Sequence, residues 1–305
     1  MSLSVSLCLC GEFFSRMQFT VTHTTRYRYP RPVLLGPHTF RLRPRSDGTQ
    51  RVLDFRLRVQ PRPLGWSEEL DLDGNAVARA WFDGLTDSLT VASTFTIETL
   101  RINPFDFLLA PGTTTVPPAA DPAHDTALLA YRTRAAADES VTAFAEALRR
   151  EAQGQTIPFL TLLCRRIAER SRPAIRLEGE PQSPAFTLRE RTGACRDLAV
   201  LFIEACRAVG LGARFASGYY TGQPAADRRY LHAWAEVFLP GAGWRGFDPL
   251  LGLAVADCHV AVAAAAEPHA AAPIDGSLRG SDERATLEVE VAIDERGTQV
   301  QPESA

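Results

Sequence analysis

Between residues 18 and 102 apolar and polar positions alternate with a period of two, the pattern of half-buried strands. Residues 19–29 are rich in β-branched and aromatic side chains and end at Pro30, while residues 38–43 and 52–59 alternate in the same way. Residues 70–77 read as a strand, an Asp-Gly-Asn turn and the start of another strand, and residues 89–101 as one more. Short strands at this spacing predict an antiparallel β-sandwich over residues 17–102. Residues 103–122 contain Pro-Gly and Pro-Pro pairs and three consecutive threonines, which makes them a linker.

The period then changes to 3.6. Helices are predicted over 125–134 and over 138–153, the latter with Val141, Phe144, Ala145 and Leu148 on one stripe. A third runs from Thr156, taken as its cap, to Arg170, with Pro158 just inside. After a polar, proline-containing stretch over 175–191, Leu198, Leu201, Phe202, Ala205, Cys206 and Val209 recur at helical spacing and Gly210 is a natural stop. Strands follow at 213–220, 231–239 and 244–247, the last two joined by Gly-Ala-Gly as a hairpin. The alanine-rich run 261–272 fits helix, loop or strand, and 286–293 alternates as a last strand. The expected class is α+β: an extension over 1–16, a β domain over 17–102, a linker, a catalytic domain over 123–296 and a tail over 297–305.

Composition changes this picture little. Of 305 residues 45% are hydrophobic and 23% charged, ordinary for a globular chain, and a net charge of -3 argues against nucleic acid as a partner. Arg26, Arg28, Arg31, Arg41, Arg43 and Arg45 fall in the strand-rich part and read as a solvated sheet face. Six cysteines without a Cys-X-X-Cys pair suggest buried thiols in a reducing, cytoplasmic setting. No apolar run is long enough to span a membrane, and the apolar start lacks the basic flank and cleavage site of a signal peptide. No cofactor or metal is expected. The turn around Asp71 and Asp73 lacks the glycine and glutamate positions of a calcium loop, and the Cys258-His259 pair has no second pair at ligand spacing.

The chemistry centres on Cys195. It stands where a Thr-Gly loop meets a helix, and the positive end of a helix dipole favours a thiolate there. Cys206, eleven residues on, is about 16 Å away along the same helix, too far for a disulfide. Period two places His232, Trp234, Glu236 and Phe238 on one face of their strand, expected to look across at the helix start, with Ala233, Ala235 and Val237 on the other. Asp248 closes the neighbouring strand, within reach of His232 across a hairpin. Tyr219, Tyr220, Trp234 and Trp244 are cleft candidates, although aromatic core is the commoner reason for such residues. His23, His38, His124 and His269 read as structural.

Three segments then carry a resemblance. Thr192-Gly-Ala-Cys-Arg-Asp-Leu-Ala, His232-Ala-Trp-Ala-Glu-Val and Gly243-Trp-Arg-Gly-Phe-Asp-Pro, with Cys206-Arg-Ala-Val-Gly-Leu-Gly between the first two, resemble the core of the bacterial transglutaminase-like superfamily. Thr24-Thr-Arg-Tyr-Arg-Tyr-Pro and His38-Thr-Phe-Arg-Leu-Arg-Pro are similar to the β domain that precedes that core in one bacterial subgroup. The resemblance implies a papain-like core with Cys195 as nucleophile, His232 as base and acid, and Asp248 as the orienting carboxylate. It implies thioester chemistry on an amide of a peptide or protein, hydrolysis favoured over transamidation, with a non-catalytic peptide-binding or scaffolding module as the alternative. Arg196 replaces the glutamine common after the nucleophile and could meet an acidic substrate. Leu250 and Leu251 replace the usual threonine and polar residue after the Asp-Pro pair, and oligomeric state is left open.

Overall fold

The computed structural model describes residues 16–119, 122–134, 137–176, 178–222, 229–280 and 284–298. The expected N-terminal extension lies outside them except at Arg16, and the expected tail except at its first two residues. The chain is α+β, as its periodicities predict, with two antiparallel sheets, one N-terminal and one covered by helices.

The first sheet is organised by β1 (Arg16–Phe40), a 25-residue strand. Around it run β2 (Gln50–Gln60), β3 (Gly65–Leu70), β4 (Ala76–Trp81) and β5 (Leu85–Thr99), in the order β2-β5-β1-β4-β3. Instead of two stacked sheets, these strands make one, because β1 changes neighbours along its length. It pairs with β5 over Met17–Arg28 and, after an irregularity, again at Val33 and Leu34, and with β4 over His38–Phe40.

Helices and short strands come next. They are α1 (Pro122–Ala127), α2 (Leu129–Arg132), α3 (Glu139–Glu151), α4 (Thr156–Arg170), β6 (Arg172–Pro173), α5 (Pro184–Glu190), β7 (Thr192–Gly193) and α6 (Cys195–Ala208). Asp138 caps α3 by accepting the Ser140 and Val141 N–H groups, as a carboxylate at a helix start should. In α4 the cap position falls to Gln155, and Thr156 is the first helical residue. Its hydroxyl instead donates to the Thr113 carbonyl at 2.9 Å, tying the linker to the helix.

The second sheet contains β8 (Ala213–Tyr220), β9 (His232–Leu239), β10 (Gly243–Asp248), β11 (Leu253–Ala254) and β12 (His259–Ala265), in the order β11-β10-β9-β8-β12. One face packs on α6. Phe202 stacks on Phe247 at 5.6 Å, and Ala233, Ala235 and Val237 join Leu198, Ala205 and Phe159 in one core. The alanine-rich run proves to be β12 followed by a 3-10 turn. Every residue of β12 is buried, and Val260 and Val262 pack against Phe19, Val21, Phe95 and Ile97 of the first sheet.

The chain then returns to the beginning. Strands β13 (Ile274–Arg279) and β14 (Thr286–Thr298) both pair antiparallel with β1, β14 over Arg16–Arg28. This corrects the domain boundary expected at 296: residues from Ile274 onward belong to the N-terminal sheet. The two sheets are joined by side-chain amides that complete the free edge of β12. Gln50 pairs with both backbone groups of Ala261 at 2.7 and 2.8 Å, and Asn75 with both of Ala264 at 2.8 Å. Each amide substitutes for a strand neighbour, which satisfies buried backbone groups that would otherwise be costly.

Candidate active site

The start of α6 is fixed before Cys195 is placed. Asp197, fully buried in the first turn, accepts the Ala194 N–H at 2.8 Å and the Gln182 N–H at 2.8 Å. Arg176 donates to both of its oxygens, at 2.9 and 2.8 Å. A carboxylate at this turn complements the helix dipole and satisfies the Ala194 N–H that a helix start leaves unpaired. Gly193 lets the incoming chain lie against this turn, since a Cβ there would stand 2.8 Å from the Asp197 Cβ. Arg196 donates to the carbonyls of Arg176 and Glu178 at 2.7 and 2.6 Å. The flanks of Cys195 are thus bound to one loop, while Cys195 itself remains partly exposed.

His232 opens β9 and Asp248 closes β10. The expectation that the histidine face looks at α6 is corrected by the packing: the alanine face lies on the helix, and Trp234 and Glu236 lie on the other side. His232 still serves Cys195 because it stands at the end of its strand. The His232 Nε2–H donates to Asp248 Oδ2 at 2.6 Å, which leaves Nδ1 as the nitrogen available to a thiol. Cys195 acts on the imidazole in the direction that favours its protonated form.

Electrostatics follow from this geometry. Burial opposes a proton on His232, but the Asp248 carboxylate and then Cys195 outweigh it and push the imidazole up to about 10. Burial likewise disfavours the Asp248 carboxylate, yet His232 and His259 hold it well below the usual range. Asp248 is fully buried, and its Oδ1 accepts the N–H groups of Leu250 and Leu251 at 2.9 and 3.2 Å. A second imidazole was not expected here: His259 Nε2 lies 3.1 Å from Asp248 Oδ2. Burial, only partly offset by Asp248, keeps His259 below its ordinary value and therefore neutral.

Among the described residues, His232, Asp248 and His259 offer ligand atoms within 4.8 Å of one another. Both nitrogens point at one oxygen at hydrogen-bond distance, so donation to a carboxylate accounts for the cluster.

The residues expected to touch substrate are placed otherwise. Tyr219 is fully buried, its hydroxyl 2.7 Å from His23 Nδ1 where the two sheets meet, so it lines no cleft. Trp234 is also fully buried, its ring 5.3 Å from His259 and 6.1 Å from His232, where it supports imidazoles from beneath. Trp244 packs on Tyr131 and Phe238 with the Arg214 guanidinium 4.1 Å over its ring, beside Glu236 rather than Asp248. Arg196 spends its guanidinium on loop carbonyls. Tyr220 is the cleft candidate that does border the site, 5.1 Å from His259 and 6.1 Å from His232. Asp197 had a signal in the sequence, an acidic residue at the third helical position. His259 had none, because its partner lies on another strand.

Comparison with known proteins agrees with this architecture. Residues 19–98 match the bacterial transglutaminase-like N-terminal region, and residues 142–249 match the transglutaminase-like superfamily. An uncharacterized protein of Mycobacterium tuberculosis is 27% identical over 308 residues, covering 95% of each chain. Another from Mycobacterium leprae is 24% identical, covering 90% of this chain and 96% of its own. Among solved structures, a candidate cysteine protease from Cytophaga hutchinsonii shares the fold with a TM-score of 0.69 and 21% identity, over 94% of this chain and 93% of that one.

Proposed function

Because the chain joins a transglutaminase-like core to the bacterial N-terminal region of that superfamily, we propose that it is a cysteine hydrolase acting on an amide bond of a peptide or protein. The observation that carries this reading is the His232 Nε2–Asp248 contact, which turns the other nitrogen over to Cys195. A thiolate needs an imidazolium beside it and a carboxylate that fixes the ring, and these three side chains supply both.

Cys195 attacks the amide carbonyl, and the oxyanion forms beside the first turn of α6, where the Cys195 N–H is a donor free of the helix ladder. His232 gives its proton to the leaving amine as the C–N bond breaks, leaving a thioester on Cys195. A water molecule, deprotonated by His232, attacks the thioester, releasing the acid and restoring the thiolate–imidazolium pair. Asp248 stays ionised throughout and stabilises the imidazolium. Water is the acyl acceptor in this reading; a primary amine in its place would give transamidation.

Incubation with an amide-terminated peptide library, a denaturing quench and mass mapping of Cys195 test the reading. An acyl adduct on Cys195, lost in His232→Ala, is expected, and added amine should not divert most of the product. Absence of any adduct with retained peptide binding would instead mark a binding module.

A further inference from the structure

We infer that His259 is a positioning residue for this reaction, holding the Asp248 carboxylate in the orientation that serves His232. The inference rests on the hydrolase reading above. Asp248 accepts four hydrogen bonds from three segments: two backbone N–H groups on Oδ1, and the His232 and His259 imidazoles on Oδ2. Without His259, the oxygen that orients His232 would be tethered only by the ring it has to orient.

The surroundings make His259 a fixed donor. It opens β12 in register with Tyr220, and its ring sits between Tyr220 at 5.1 Å and Trp234 at 5.3 Å. Gly218 allows this assembly, since a Cβ there would lie 2.0 Å from the Val260 carbonyl and 2.7 Å from the Trp234 ring. The acceptor is a carboxylate, so the proton of neutral His259 resides on Nε2. Its buried Nδ1 has no hydrogen-bond partner, and a second proton there would be an unpaired buried N–H. The charged and titratable groups acting on the ring are Asp248, His232 and Asp257, with the Tyr220 ring tilted against it. His259 therefore donates one hydrogen bond without competing with His232 for the catalytic proton. Two histidines on one oxygen divide the labour, one moving protons and one holding the acceptor still.

The test compares His259→Phe, which keeps an aromatic ring and loses the donor, with His259→Gln, which restores an N–H donor. Thermal melts establish that each variant folds. For His259→Phe, kcat is expected to fall about 10- to 100-fold with KM within about twofold, the size of one lost hydrogen bond to a charged group. The alkaline limb of kcat/KM and the His232 imidazole titration, followed by NMR, should both move to lower pH, and His259→Gln should recover most of each. Unchanged rate and titration in His259→Phe would overturn the inference. So would equal losses in both variants with the His232 titration unmoved, which would mark a merely structural residue. A wild-type protein in which His232 titrates near 10 yet no peptide acylates Cys195 would fail the hydrolase reading instead, a separately visible result.

Discussion

Two buried carboxylates lie on the same face of the same sheet, and their partners give them different work. Asp248 is held by two imidazoles and two backbone amides, Glu236 by two guanidinium groups. Arg45, on the segment after β1, pairs with both Glu236 oxygens, and Arg214 of β8 donates to one of them at 2.8 Å. Burial disfavours the Glu236 carboxylate, but these two cations bring it down to about 2. Guanidinium groups keep their protons at every ordinary pH, so Glu236 can only clasp the N-terminal sheet to the core. An imidazole can lose its proton, so a partner of Asp248, unlike those of Glu236, can change charge. Burial alone does not tell these two carboxylates apart; the titration range of their partners does.

Substitutions at the two sites should separate these roles. Asp248→Asn is expected to lower kcat/KM by about 10³- to 10⁴-fold, the effect of misplacing the proton in an acid–base triad, while the fold persists in circular dichroism. Glu236→Gln leaves two buried arginines facing a neutral group and should cost about 3–5 kcal/mol in urea unfolding. The protein that remains folded should acylate Cys195 at nearly the wild-type rate. Similar activity losses for both variants would erase the contrast.

The amide contacts on β12 sharpen the clasp side of the comparison. Asn75→Ala strands the backbone groups of Ala264 and should lower stability by about 1–3 kcal/mol, read in the same urea experiment.

The smallest effect is in pH. Glu236 has a folded value of about 2 against an ordinary 4.5, so its stabilisation is complete above 4.5 and is lost as pH falls toward 2. His232 has the opposite sign, with stabilisation complete below 6.5 and lost as pH rises through about 10. Acid unfolding midpoints should therefore shift in Glu236→Gln, and alkaline midpoints should shift in His232→Gln and not in Glu236→Gln.

Much of this was legible in the chain. Strand and helix periods located β8, β9, α4 and α6, and Cys195, His232 and Asp248 each lay at an element boundary that its neighbours announce. Helix α5 was not legible, because its seven residues are too few to show a period inside a polar stretch. The role of Arg196 was misread because its partners are carbonyls 18 and 20 residues earlier, in a loop whose path no local pattern states.

Local patterns of apolar and polar residues thus determined which elements form and where the Cys195 thiol, the His232 imidazole and the Asp248 carboxylate sit along them. Tertiary structure decided which face of β9 meets α6, that β12 is a strand at all, and that β13 and β14 return to β1. It also decided that His259 reaches Asp248. The physical reason is one of range. Periodicity records whether a position is buried, whereas register between strands far apart in sequence depends on packing the whole chain at once, and only that packing brings a second imidazole to a carboxylate already in use.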